Sequence, residues 1–168
     1  DKQKYVMLGV TGPNEYENNV NNNWYTNTIA VWTLRYTMEA IDYVSKSHAK
    51  KFQKISLKRN FKKEETSQWK AICDQMHFPI DEKRNVFLQQ DGFLDKELRH
   101  VDTLSHMERP IHQHWSWDRI LRSCFIKQAD VIQGFYFFED HYDIDTIRRN
   151  FDFYEPMTVH ESSLSSCV

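Results

Sequence analysis

The chain has 168 residues and a formal net charge of −2, with 40% hydrophobic and 27% charged residues. That composition is typical of one water-soluble globular domain, and the balanced charge argues against a nucleic-acid partner. No apolar run approaches the roughly 20 residues of a membrane span, so no membrane partner is expected. Three cysteines without CxxC spacing indicate buried or free thiols in a reducing compartment, and we expect a cytoplasmic protein.

The first half of the chain is predicted to contain a short extended segment, a polar loop and three helices. A short apolar run at 5–10 indicates an extended segment that ends at the turn Gly12-Pro13. A polar loop with seven asparagines follows at 14–27, and loops of this kind often carry function. Apolar residues at helical spacing then predict three helices, over 28–47, from there to about Leu57, and over 64–78.

The second half is predicted to be irregular first and helical later. Short extended pieces are expected at 86–88 and 111–115. Helical spacing predicts two helices within 119–138 with a break at 125–129, one helix over 144–154, and a helix start within 161–168. Antiparallel helices joined by long, aromatic-rich loops predict a mainly α fold with its chemistry on the loops. Both chain ends lack a polar linker, so we expect a segment of a longer polypeptide.

One carboxyl group follows the first extended segment directly, in Gly12-Pro13-Asn14-Glu15-Tyr16. The stiff turn would fix the direction of Glu15, and aromatic neighbours could desolvate it. Desolvation raises the pKa of a carboxyl group, as a general acid requires near neutral pH. The residues alone leave open a general acid and an ordinary surface glutamate, which is the commoner case.

Two further clusters could bind ligands. The amides of the asparagine-rich loop suit polyols, but they equally suit a helix entry capped by Asn27 or Thr26. In an extended segment His112 and His114 would point the same way, as in some metal sites. No third ligand is apparent, so we expect no metal and favour stacking or structural roles.

Polar residues near the chain end offer two more candidates. Lys127 and Gln128 lie in an apolar segment, where they need a ligand or a carboxylate across the core. A serine-rich stretch after His160 could bind an anion, or Ser162 or Ser163 could simply cap a helix.

Several long strings together resemble glycoside hydrolase family 65, in the same order and across the whole chain. They are VTGPNEYENNVNNNWYTN, QQDGFLD, HQHWSWDRILRS, KQADV and YEPMTVHESSLS. Within this family of disaccharide phosphorylases, the sequences of these motifs are most similar to those of members that act on maltose. The resemblance implies that 1–168 form the later part of an (α/α)6 barrel catalytic domain. An N-terminal β-sandwich, the first barrel helices and a small C-terminal β domain would then lie outside the chain.

The resemblance also implies a reaction, which is inverting phosphorolysis of maltose to β-glucose 1-phosphate and glucose. Phosphate is an anionic co-substrate, so neither a cofactor nor a second carboxylate is required. The family motifs place Glu15 as the proton donor, Lys127 and Gln128 on sugar hydroxyls, and Glu155 on the acceptor side. His160, Ser162 and Ser163 would lie near the phosphate, and a homodimer is expected from the family.

Other functions stay open. A sibling phosphorylase for trehalose, kojibiose or nigerose would share the same core, and so would a hydrolase of the family. A non-catalytic carbohydrate-binding module would also explain the 14% aromatic residues.

Overall fold

Helices dominate the secondary structure of the part of the chain that the computed structural model describes, which is residues 3–162 and residue 165. The chain divides into two units. The first comprises Asp1–Tyr5 and Thr28–His77, and the second comprises Val6–Asn27 and Phe78–Val168. None of the described helices is long and apolar enough to span a membrane.

Three long helices occupy the first half of the chain: α1 at Trp24–Ser47, α2 at Ala49–Arg59 and α3 at Glu64–Gln75. From Thr28 onward α1 belongs to the first unit. Asn60 ends α2 in the left-handed conformation, at a φ of 51°, which asparagine tolerates better than most residues. Inside the first unit, the buried Cys73 thiol donates to the Val31 carbonyl at 3.6 Å.

The second unit combines short helices with one small hairpin. Its elements are β1 at Ile80–Asp81, β2 at Val86–Phe87, α4 at Ile111–His114, α5 at Trp117–Arg122, α6 at Asp130–Phe137 and α7 at Ile144–Tyr154. The two strands are antiparallel, with Ile80 opposite Phe87. Single 3-10 turns lie at Phe93–Asp95, Val101–Thr103, His106–Glu108, Glu139–His141 and Glu155–Met157.

An aromatic cluster around Trp24 forms the core of the second unit. The Trp24 ring lies 5.2 Å from Phe87, 5.5 Å from Phe135 and 6.1 Å from Tyr142, measured between centroids. Gly134 on α6 allows this packing, because a Cβ there would lie 2.4 Å from the Trp24 ring. Trp24 is 1% exposed, so this end of α1 is fixed by its burial.

Most helical predictions are confirmed, with shifted ends. The third helix stops at Gln75 rather than at residue 78, the break before α6 is present, and α7 matches 144–154. The first helix begins at Trp24 instead of residue 28, so the predicted cap at Asn27 or Thr26 is wrong. Asn23 caps α1 instead, since its Oδ1 accepts from the Thr26 N–H at 2.9 Å.

Two expectations of extended structure are wrong. Residues 111–114 form α4, with the Trp115 N–H donating to the Ile111 carbonyl at 2.8 Å. Residues 5–10 form only isolated bridges at their two ends. Asparagine side chains replace a partner strand there: Asn22 Oδ1 accepts from Met7 N–H at 2.9 Å, and Asn21 Oδ1 accepts from Gly9 N–H at 3.1 Å.

The free thiols are confirmed at Cys73 and Cys124, both of which are buried. Cys167 lies outside the described residues. The helix start predicted within 161–168 falls largely on residues 163, 164 and 166–168, which also lie outside them, and the described Ser162 is in a bend.

Candidate active site

Glu15 lies in a tight turn between two paired residues of the second unit. Val10 and Val20 form an antiparallel bridge, with N–H to carbonyl distances of 2.8 and 2.9 Å. Within that loop the Glu17 N–H donates to the Asn14 carbonyl at 3.1 Å, which closes the turn around Glu15. The bridge and the turn together fix the backbone of Glu15, although the hydrogen-bonded turn lies at residues 14–17 rather than at the predicted Gly12-Pro13.

Lys127 and Gln128 meet Glu15 directly. The Lys127 ammonium forms an ion pair with the Glu15 carboxylate, and Gln128 Oε1 accepts from the Glu15 N–H at 3.0 Å. The sequence left two partners open for Lys127, a ligand or a carboxylate across the core, and the structure places the half-exposed carboxylate of Glu15 beside it. Three of the residues that the family motifs single out lie at one place, although 112 residues of sequence separate Glu15 from Lys127.

The segment that carries Lys127 is held from its other side by the end of the second unit. Ile126 and Thr158 form a parallel bridge. The Ile126 N–H donates to the Met157 carbonyl at 3.1 Å, and the Val159 N–H donates to the Ile126 carbonyl at 2.9 Å. Ile126 is fully buried, so its packing and its backbone hydrogen bonds hold the backbone next to Lys127 in place.

The described residues leave Glu15 partly exposed, and the desolvation expected for it stays a prediction. Its side chain is 49% exposed, whereas that of Lys127 is 15% exposed. The aromatic neighbour Tyr16 turns inward instead and is 2% exposed. The side chain of Glu15 therefore points outward from the turn, and the ring of Tyr16 points inward. The carboxylate contacts the Lys127 ammonium and not the aromatic ring.

Tyr16 lies close to the titratable side chains of His112, Glu161 and Glu15. Its hydroxyl lies 3.4 Å from His112 Nδ1, and its ring packs edge-on against Trp117. Burial, then the charges of Glu161 and Glu15, raise the pKa of the Tyr16 phenol to about 12. The phenol therefore stays protonated at neutral pH.

A buried polar network lies beneath the turn. Asp130 accepts from Asn23 Nδ2 at 2.7 Å, and its N–H donates to Gln89 Oε1 at 3.2 Å. Gly12 packs directly on this pair, since a Cβ there would lie 2.3 Å from Asp130 Oδ2 and 2.4 Å from Asn23 Nδ2. Burial raises the pKa of Asp130 to about 7, although hydrogen bonds from the Asn23 amide and the Asn14 backbone oppose that rise.

The far end of the same loop is held by a buried ion pair. Glu17 pairs with Lys96, and Gln90 Nε2 donates to Glu17 Oε1 at 3.0 Å. Lys96 also donates to the Leu121 carbonyl at 3.1 Å. With partners on both charges, this pair satisfies the requirement for buried ions and anchors the loop.

The asparagine-rich loop uses many of its amides internally. Asn14, Asn22, Asn23 and Asn27 are buried, and Asn22 Nδ2 donates to Asp91 Oδ2 at 2.7 Å. Asn19 and Asn22 adopt positive φ angles of 52° and 51°, which suit asparagine. For the buried members this favours a structural role over the polyol binding that their amides also allowed.

Glu155 and His160 form a second polar pair. Glu155 Oε1 lies 4.0 Å from His160 Nε2, and both side chains are about half exposed. The Ser162 hydroxyl lies 3.4 Å from that of Ser165, and Ser163 lies outside the described residues. Glu155 precedes the residues that are bridged to Ile126, whereas His160 and Ser162 follow them.

The described part of the chain has no cluster of side chains arranged to bind a metal ion. No group of three His, Cys, Asp or Glu side chains there could hold a metal ion. His112 and His114 lie in α4, where residues two apart point in different directions, so the expected parallel orientation of their rings is wrong.

Sequence reasoning missed the buried residues that hold this arrangement, namely Asn14, Asn23, Gln89 and Asp130. A usable indication was available for Asn14, since an asparagine in a tight turn often accepts backbone hydrogens. For Asp130 the indication was a carboxyl group at the start of an apolar helix, which needs a buried partner.

Comparison with known proteins gives a consistent result. The profile of the glycosyl hydrolase family 65 central catalytic domain matches residues 1–168. The chain is 54% identical to maltose phosphorylase of Bacillus subtilis (strain 168) over 99% of its own length and 21% of that protein. It is 36% identical to α,α-trehalose phosphorylase of Thermoanaerobacter brockii, over 98% of the chain and 21% of the relative.

A solved structure agrees with the sequence relatives. It comes from the human microbiome and carries a kojibiose phosphorylase assignment, with a TM-score of 0.83 and 35% identity over 96% of this chain and 22% of that one. The chain thus spans about a fifth of the length of the relatives it matches. The prediction of a mainly α part of an (α/α)6 barrel is confirmed.

Proposed function

Because this chain belongs to glycosyl hydrolase family 65, we propose that the protein containing it catalyses phosphorolysis of maltose with inversion. The products are β-glucose 1-phosphate and glucose. The proposal is supported by the contacts of Glu15 with Lys127 and Gln128, since the residues proposed as the acid and as two sugar-binding groups lie side by side. We further propose that 1–168 form the later part of the barrel, with further domains on either side.

Glu15 acts as the proton donor in this reaction. A phosphate oxygen forms a bond to the anomeric carbon while the bond from that carbon to the glycosidic oxygen breaks. Glu15 protonates the departing oxygen and takes up a proton again afterwards, so that overall the proton lost by hydrogen phosphate ends on glucose. An inverting hydrolase needs a second carboxylate to activate water, whereas phosphate is already a nucleophile.

Lys127 changes partner during the cycle. In the structure the Lys127 ammonium contacts the carboxyl group of Glu15, which donates a proton in the proposed reaction. A sugar hydroxyl that accepts from the Lys127 ammonium would replace this contact when the substrate binds. Gln128 keeps the Glu15 backbone in place through its Oε1, and its amide group is the part assigned to a sugar hydroxyl.

Glu155 is assigned to the acceptor side, and His160, Ser162 and Ser163 to the neighbourhood of phosphate. Their support is the position of Glu155 and His160 immediately around the strand-like residues that are bridged to Ile126. Imidazolium and hydroxyl groups suit a phosphate dianion.

Maltose is the proposed substrate because of the 54% identity to a maltose phosphorylase. A trehalose phosphorylase at 36% and a kojibiose phosphorylase at 33% share the same core, which keeps those disaccharides as the second candidate. A homodimer and a cytoplasmic location stay predictions.

The test uses the full-length protein with maltose, with and without phosphate, and measures β-glucose 1-phosphate. We expect product only with phosphate, and a loss of about 10²- to 10⁴-fold in kcat for Glu15→Gln. Glu39→Gln, a change of the same kind on the exposed face of α1, should leave the rate unchanged. Turnover without phosphate, or an unchanged rate for Glu15→Gln, would contradict the proposal.

The same assay with trehalose, kojibiose and nigerose decides the acceptor. A kcat/KM for one of these above that for maltose would move the assignment to the sibling. Glycan binding without turnover of any disaccharide would indicate the carbohydrate-binding module instead.

A further inference from the structure

We propose that Asn14 is a positioning residue for the proton donor, and this rests on the function proposed for Glu15. Its side-chain carbonyl ties the turn that carries Glu15 to the backbone that carries Lys127 and Gln128. Asn14 acts through the geometry of Glu15 rather than by touching the sugar.

The contacts of Asn14 are unusually concentrated on one atom. Its Oδ1 accepts from the Lys127 N–H at 2.9 Å, from the Tyr16 N–H at 3.3 Å and from the Gln128 N–H at 3.4 Å. Asn14 itself is 0% exposed. One buried oxygen thus serves both sides of the site.

A second hydrogen bond connects the same two segments in the opposite direction. While Asn14 accepts from the Gln128 backbone, the Gln128 side chain accepts from the Glu15 N–H at 3.0 Å. Each segment therefore supplies one amide side chain that binds the backbone of the other. Two such bonds constrain both the separation and the rotation of the segments, which a single bond cannot do.

Both segments are fixed elsewhere, so the connection decides how they meet. The turn rests on the Asn23–Asp130 pair through Gly12, and the segment with Lys127 is bridged at Ile126. Loss of the Asn14 oxygen would leave the Lys127 and Gln128 N–H groups without that acceptor, and the turn would shift to find another. Misplacement of a reacting group by about 1 Å can cost on the order of 10²-fold in rate.

Two substrates with different leaving groups distinguish a misplaced acid from a general loss of activity. Maltose releases a glucose oxygen that needs a proton, whereas α-glucosyl fluoride releases fluoride, which leaves without much help from an acid. Phosphate attacks the anomeric carbon in both cases, and the carbon–fluorine bond breaks in the second. A defect confined to proton donation therefore appears with maltose and largely disappears with the fluoride.

The experiment compares kcat/KM for the two substrates in the full-length protein and its Asn14→Ala variant. We expect a loss of about 10²-fold with maltose and of less than about threefold with α-glucosyl fluoride. Asn14→Asp keeps an oxygen at the Oδ1 position but adds a buried charge, so it should recover only part of the activity with maltose. Glu15→Gln provides the reference pattern, a large loss with maltose and a small one with the fluoride.

Asn150→Ala is the matched control. Asn150 is also fully buried, and its Oδ1 accepts from the Phe87 N–H at 2.8 Å, but these contacts lie away from Glu15. Its ratio of the two kcat/KM values should equal that of the wild type. Because this ratio does not depend on the folded fraction, a poorly stable variant still gives an answer, and Asn14→Ser replaces Asn14→Ala if none of the latter folds.

Equal losses of Asn14→Ala on the two substrates would overturn the positioning role, and so would no loss with maltose. These outcomes leave the proposed function intact as long as the wild type phosphorolyses a disaccharide. A wild type that forms no glucose 1-phosphate from any substrate overturns the proposed function, and the role of Asn14 with it.

Discussion

The ammonium of Lys127 forms an ion pair with the carboxylate of Glu15, although 112 residues separate the two in sequence. The contact joins the proposed proton donor to a residue that we propose binds a sugar hydroxyl. A sugar hydroxyl that accepts from the Lys127 ammonium would compete with Glu15 for this partner.

The first prediction concerns Lys127→Met, which keeps an unbranched side chain one atom shorter and removes its charge. A hydrogen bond to a charged group contributes about 1.5–3 kcal/mol, so kcat/KM for maltose should fall about 10- to 100-fold. Steady-state kinetics of the full-length protein measure this. Lys46→Met, which removes an exposed ion pair with Asp42 on α1, should leave kcat/KM unchanged. An unchanged kcat/KM for Lys127→Met would argue against sugar binding by Lys127.

The second prediction concerns Gly12→Ala. The added Cβ would lie 2.3 Å from Asp130 Oδ2 and 2.4 Å from Asn23 Nδ2, so the buried network must shift. Overpacking of this kind costs about 1–3 kcal/mol, and the turn with Glu15 moves with it. We expect a lower Tm and a lower kcat. Thr11→Ala, at the exposed neighbouring position, should show neither effect.

The third prediction concerns Asp130 and pH. Its folded pKa of about 7 lies above the ordinary 3.8, because burial disfavours the charged form. The stability linked to this group is fully present below pH 3.8 and is lost as the pH rises through about 7. The loss is on the order of a few kcal/mol, since each pKa unit corresponds to about 1.4 kcal/mol.

Asp130→Asn should remove this pH dependence while keeping an oxygen for Asn23. The measurement is the Tm of wild type and variant between about pH 5 and pH 8. We expect the advantage of the variant to grow as the pH rises. A constant difference would show that Asp130 does not titrate in this range. Asp145→Asn, on the exposed start of α7, provides the control.

The fourth prediction concerns Tyr154→Phe. Tyr154 is fully buried, its hydroxyl donates to the Phe87 carbonyl at 2.7 Å, and burial raises the pKa of the phenol well above its usual value. Removal of a buried donor costs about 1–3 kcal/mol, so the denaturant midpoint should fall. Tyr43→Phe, which changes a 68% exposed residue of α1, should leave the midpoint unchanged.

The helices of this chain were predictable because their determinants are local. Apolar spacing indicated α1, α3 and α7, and Asp143 caps α7 by accepting from the Thr146 N–H at 2.8 Å. Errors arose where distant groups intervened. The first turn of α1 has its cap at Asn23, which also binds Asp130, and α4 forms where Glu161 accepts from the Ile111 N–H at 2.8 Å.

The sequence by itself determined the family, the mainly α fold and the identity of Glu15, Lys127 and Gln128 as candidates, since contiguous motifs carry that information. Only the tertiary structure decided that Lys127 contacts Glu15, that Glu15 is half exposed in this chain, and that Asn14 connects the two segments. The reason is physical. Hydrogen bonds and ion pairs between residues more than 110 positions apart depend on how two separately fixed backbones approach one another, and no local pattern encodes that approach.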